Sequence, residues 1–146
     1  GGVAGAAWLW LLSRLAPAAL QPSDPANAMP LAVKLLYGGI TEELLMRWGV
    51  MTLLLWLGWR LLRRGHGQPR NGLVATAVLF SAVLFAVGHL PAAQAMAGVL
   101  TMPVVAFVLV GNTVFGLVAG GLFARHGLEA AIIAHVLAHL LASPLL

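Results

Sequence analysis

Cysteine is absent from this chain, and charge is nearly so: Asp and Glu together number four and Lys and Arg eight in 146 residues. The first absence excludes disulfides and thiol chemistry and leaves the redox compartment unmarked. The second excludes an ordinary soluble domain. About 25% of such a domain is charged, whereas here the share is 8%, against 61% apolar residues. A soluble molecule so poor in polar side chains could not cover its surface, and a bilayer removes that requirement. A net charge of +4, scattered along the chain, is too small for a nucleic-acid footprint. The composition therefore predicts an all-α, polytopic transmembrane helix bundle.

What the chain does contain is apolar runs of about 20 residues, the length that crosses a bilayer. Five are read: residues 3–20, 31–62, 73–90, 102–124 and 128–146. The second is longer than one span needs, so it either tilts or breaks near Gly38-Gly39, since adjacent glycines weaken a helix. Residues 91–101 read as a short interfacial or re-entrant piece. The proline-rich stretch 21–30 separates an N-terminal span and loop (1–30) from a core (31–146). The chain opens on Gly1 rather than Met. It is expected to be a piece of a longer protein, and residues 3–20 are not read as a signal peptide because no basic leader precedes them. Arg60, Arg63, Arg64, Arg70 and Arg125 cluster after the second and fourth spans, and the alternate loops carry no Lys or Arg. The positive-inside rule then places loops 63–70 and 125–127 in the cytoplasm. Gly116 and Gly120 form a small-xxx-small pair, read as tight packing within the bundle rather than a dimer interface.

Chemistry is concentrated in few residues. Glu42 and Glu43 are adjacent inside an apolar segment, where an unpaired charge is costly. Glu43 and Arg47 are spaced i,i+4 and stack on one helix face as an ion pair. Glu42 points elsewhere and is left for chemistry. His89 follows Phe85 by one turn, and His135 and His139 share one face of the last span. Burying each of these groups separately would be expensive, so they are expected to converge in one cavity. His66 and His126 lie in basic, glycine-containing turns and read as solvated. A carboxylate and an imidazole can activate water, and further donors can stabilise an oxyanion, which suits amide hydrolysis. Three imidazoles and a carboxylate also suit Zn²⁺, with Glu42, His89, His135 and His139 as the candidate ligands, although the H-E-x-x-H zinc-protease helix is absent.

The series Glu42-Glu43-x-x-x-Arg47, Phe85-x-x-x-His89 and His135-x-x-x-His139, in that order, resembles the motifs of the CPBP family, which comprises type II CAAX prenyl proteases and bacteriocin-processing, Abi-like proteins. The glycine-rich stretch 115–135 resembles the family's penultimate region. The resemblance covers residues 31–146 and implies an intramembrane endopeptidase. It implies Glu42 as the general base, His89 as its assistant, and His135 as the oxyanion donor with His139 beside it. Glu43, Arg47 and Phe85 would then shape the site. The family's last motif usually ends in Asn, and here it ends in His139, a residue that can donate or bind metal. A mechanism without a cofactor is the favoured reading, with Zn²⁺ the alternative.

Two other readings compete: a non-catalytic family member acting in bacteriocin immunity or as a scaffold, and a transporter or proton relay built on the same Glu and His residues. The expected partners are a peptide or protein substrate and the lipid bilayer. The Ala-, Leu- and Gly-rich composition reads as bacterial, which places the chain in the cytoplasmic membrane.

Overall fold

The computed structural model describes residues 2–21, 29–63 and 66–143, and among these every regular element is helical. Most of the loop read at 21–30, residues 64–65 of the basic turn and the last three residues of the fifth candidate span lie outside the described residues.

Glycine and proline set the helix limits. Helix α1, Gly2–Leu15, stops short of Pro17, and a single 3-10 turn, Ala18–Leu20, follows. A residue ahead of proline is pushed out of the helical region, so α1 cannot run on. Helix α2 is a continuous helical run over residues 31–63. It begins as Leu31–Val33, widens into π-helical turns at Lys34–Thr41 and Leu44–Met51, and ends as the regular helix Thr52–Arg63. Helix α3, Asn71–Gly88, tightens at His89 and gives way to α4, Leu90–Ala97, with Pro91 in its first turn. Gly98 closes α4 at φ +72°. Helix α5, Met102–His126, ends at Gly127, whose φ of +89° any other residue would adopt only under strain, and α6, Leu128–Ala142, follows at once.

Of the five spans read from the sequence, the described helices bear out the length of two. Two stretches, Asn71–Ala97 and Met102–His126, are long and apolar enough to cross a membrane. At 1.5 Å per residue, α1 and α6 reach only about 21–23 Å, short of a hydrocarbon core of about 30 Å. The α2 run is long enough but carries Lys34, Glu42, Glu43 and Arg47 in its first half. It does not break at Gly38-Gly39 either. Those glycines are a crossing point: a Cβ on Gly39 would lie 2.6 Å from Val136 Cγ2, and one on Gly38 would lie 2.9 Å from His139 Nε2.

Packing runs on small residues. Helix α3 lies along α5, and α6 is flanked by α1 and α2. The α3–α5 seam is Ala77, Ala82 and Ala86 against Gly116, Ala119 and Gly120, all buried. Gly116 is required there, since a Cβ would sit 2.9 Å from the Cα of Ala82. The Gly116–Gly120 pair thus packs inside the molecule. Trp8 adds a tie from α1, its Nε1 donating to the Gly111 carbonyl at 3.0 Å.

The distribution of polarity is the reverse of a soluble protein's. The largest fully buried side chains include Arg47 and Glu43, while Trp48, Trp56, Phe80, Leu61 and Met102 are more than half exposed. In water the hydrophobic effect would draw those large apolar groups inward. Their outward position suits a lipid surrounding, with the polar groups held in the bundle interior.

Candidate active site

The wide turns of α2 bracket Glu42 and Glu43. Their mark is a backbone hydrogen bond to the fifth residue back, as from the Glu42 amide to the Tyr37 carbonyl, and the Thr41 and Thr52 hydroxyls donate to the Leu36 and Arg47 carbonyls at 3.0 and 3.2 Å. Wide turns of this kind are rare and recur at functional sites. Here they carry two adjacent carboxylates toward different neighbours.

Glu43 turns fully inward. Its Oε2 lies 3.0 Å from Arg47 Nε, and its Oε1 accepts from His135 Nδ1 at 2.8 Å. All three side chains are buried. The Arg47 guanidinium lies 5.0 Å from the centroid of the Phe85 ring. Its three nitrogens have no aligned hydrogen-bond acceptor among the described residues. Charge is therefore balanced by the Glu43 carboxylate and the face of Phe85 rather than by a fork of hydrogen bonds.

Glu42 stays at the edge. Its side chain is 18% exposed, and its Oε1 lies 3.8 Å from Nε2 of His89, itself 32% exposed. His89 Nδ1 is 2.8 Å from the Phe85 carbonyl, which can only accept. Nδ1 therefore bears the proton, and in the neutral ring Nε2 presents its lone pair to Glu42. Two acceptors facing each other at 3.8 Å are too far apart to bond directly and are spaced so that one donor between them can serve both. Both residues line a cavity of about 120 Å³ with Tyr37, Met46, Leu84 and Gly88.

The histidines of α6 are arranged in sequence behind this pair. His135 packs 4.4 Å from the Phe115 ring and His139 stacks on His135 at 4.9 Å, their planes 23° apart. Phe85 joins the two halves of the site, its ring 4.5 Å from His89 and 6.3 Å from His135. The structure thus gathers Glu42, Glu43, Arg47, Phe85, His89, His135 and His139 into one region. It divides them into two carboxylate–imidazole pairs, Glu42–His89 and Glu43–His135. The spacing of the motifs predicts Glu43 as a partner of Arg47 alone, and its bond to His135, 92 residues away, had no signal in the sequence. Phe115 and Gly38, which flank His135 and His139, were likewise missed. Gly38 was marked in the sequence only as a point where the helix could break, and the crossing of helices is what places both beside the histidines.

The donor set does not fit a zinc ion. Among the described residues no three His, Asp or Glu side chains converge as a metal site. Glu42 and His89 face each other, His135 is committed to Glu43, and His139 lies with its Nε2 against Gly38.

A family model described as type II CAAX prenyl endopeptidase, Rce1-like, matches residues 24–141 of the 146. Neither a curated protein nor a solved structure matches the chain.

Proposed function

Because the chain belongs to the type II CAAX prenyl endopeptidase Rce1-like family, a family of membrane-embedded proteases, we propose that it is an intramembrane endopeptidase in which Glu42 and His89 activate the attacking water. The observation that carries this reading is the facing of Glu42 Oε1 and His89 Nε2 across 3.8 Å at a cavity edge. A water supplies two O–H donors, one for each acceptor, and its lone pairs then point away from them. Glu42 takes a proton as the oxygen attacks the scissile carbonyl, and later passes it to the departing amine. His89, its tautomer held by the Phe85 carbonyl, orients the nucleophile. The products are a carboxylate and an amine, and no other reagent is consumed.

His135 is the proposed oxyanion donor, and its hydrogen bonding sets a condition on that role. Nδ1 already donates to Glu43, so Nε2 can donate only when the ring carries its second proton. Glu43 would then balance the imidazolium, as a buried carboxylate does behind a catalytic histidine. Glu43 is on this reading a positioning residue, and Arg47 holds it. His139 supports the ring of His135 by stacking. We further read the bundle as crossing the bilayer with α1, α2 and α6 joining the two long apolar stretches, and with the loops near 63–70 and 125–127 in the cytoplasm.

The test is cleavage of a quenched-fluorescence peptide carrying a cysteine, two aliphatic residues and a free C-terminus, offered with and without a farnesyl group to the purified chain in detergent. Glu42→Gln is expected to lower kcat by about a hundredfold or more, the range of a lost general base, with the melting temperature unchanged. Cleavage by Glu42→Gln at the wild-type rate sinks the proposal. Added EDTA is expected to leave the wild-type rate as it was. A loss reversed by Zn²⁺ would replace water activated by carboxylate with water activated by metal.

A further inference from the structure

Most glycines near the site have a visible reason to be glycine. Gly38 and Gly39 face α6 and Gly116 faces Ala82, at distances a Cβ could not share. Gly88 has no such reason. A Cβ added there would meet nothing within 4 Å. Its φ is not positive, since among the described glycines only Gly67, Gly98 and Gly127 have positive φ. Glycine in a helix is destabilising relative to alanine, so neither packing nor backbone conformation accounts for it. Gly72 and Gly121 are equally open, but they do not line the cavity that holds Glu42 and His89, and Gly88 does.

A second feature lies beside it. The His89 amide bonds back to the Ala86 carbonyl at 3.1 Å. The cap N–H at His89 reaches the Val87 carbonyl as well, so the helix closes on itself here, and Pro91 brings no N–H to continue it. The open backbone surface at Gly88 therefore ends at a closed helix turn, one residue from His89. Tyr37 and Met46 of α2 line the other side, and Leu84 lies one turn back on α3. A cavity of about 120 Å³ is close to the size that accepts one benzene-sized apolar group.

We propose that Gly88 is the specificity-determining position of this site: its missing side chain lets the main chain of a peptide substrate lie directly against α3, with one compact apolar side chain between Tyr37, Met46 and Leu84 and the scissile carbonyl beside Glu42 and His89. The inference rests on the endopeptidase reading above and adds where the substrate backbone lies. A side chain at position 88 would stand between that backbone and the helix.

The test uses the whole chain in detergent and the farnesyl-free peptide defined above. Gly88→Val is expected to raise KM about tenfold or more, the lower end of what one misplaced methylene costs, with a smaller rise for Gly88→Ala. The melting temperature of Gly88→Ala should equal or exceed the wild type's, and Gly121→Ala should leave KM unchanged. In a second arm the fluorescein-labelled peptide is titrated into Glu42→Gln with and without Gly88→Val, and anisotropy should show binding weakened by a similar factor. This arm reads Gly88 without cleavage, so it stands apart from any failure of Glu42 as base. A KM and an affinity unaffected by Gly88→Val overturn the inference. So does a lowered melting temperature for Gly88→Ala, which would make the glycine a packing residue, and so does a peptide that binds neither background.

Discussion

Arg47 has no water to fall back on. Its guanidinium is fully buried, set between the Glu43 carboxylate and the Phe85 ring. Removing one member of such a pair leaves the other charge buried and unpaired, at a cost of about 3–5 kcal/mol. Arg47→Ala is therefore expected to lower the melting temperature sharply, whereas Glu42→Gln, at the cavity edge, should not. Thermal unfolding of the two purified variants side by side checks this, and equal melting temperatures would contradict the division between a structural and a chemical glutamate. Half of that division was legible in the sequence, since i,i+4 spacing links Glu43 to Arg47 wherever the segment is helical. The other half was not, because the partner of Glu43 comes from α6 and no spacing rule reaches across 92 residues.

At the scale of elements, the informative contrast is between glycines that face a helix and glycines that face open space. Gly116 sits on the seam between α3 and α5, where an added Cβ would lie 2.9 Å from the Ala82 Cα. Gly116→Ala must push the two helices apart, and overpacking of this kind costs about 1–3 kcal/mol. Gly121, one turn on, has nothing within 4 Å. Gly121→Ala is expected to be neutral or to stabilise by up to about 1 kcal/mol, the gain in helix propensity. Denaturant or thermal unfolding of the pair measures the difference, and a Gly116→Ala protein as stable as the wild type would mean that the seam is looser than described. The spacing of these glycines was readable from the chain. The wide turns of α2 were not: no motif marks a π-helical turn, and the Gly38-Gly39 pair inside it reads as a break rather than as a wide turn. Those turns re-aim Glu42 and Glu43, so the local chemistry depends on a feature that periodicity cannot reveal.

For the molecule as a whole, exposed apolar surface is the testable property. Phe80 on α3 is 57% exposed and Met102 80% exposed, on the two stretches long enough to span. The absence of native cysteine makes single-cysteine labelling direct. Phe80→Cys, in the middle of α3, should resist a membrane-impermeant maleimide in vesicles and react after detergent is added. Gly67→Cys, in the turn between α2 and α3, should react in intact vesicles of one orientation. Labelling of Phe80→Cys in intact vesicles as fast as in detergent would place α3 in water and undo the membrane reading of that surface.

Composition and order were enough to give an all-helical chain, a membrane setting and the family, because each of these depends on residue type and local spacing. The turn at 125–127 followed from the same local rules, whereas the stop before Pro17 fell inside the run read as 3–20. Of the five spans, the described helices bear out the length of two, Asn71–Ala97 and Met102–His126, because a run of apolar residues is only an upper bound on a helix. The pairing of the site did not follow from local rules. Glu42 with His89 and Glu43 with His135 is a matter of which helix faces cross. That crossing is decided by close approach at Gly38, Gly39 and Gly116 and by the free space left at Gly88, and packing between distant segments exists only once the chain has folded.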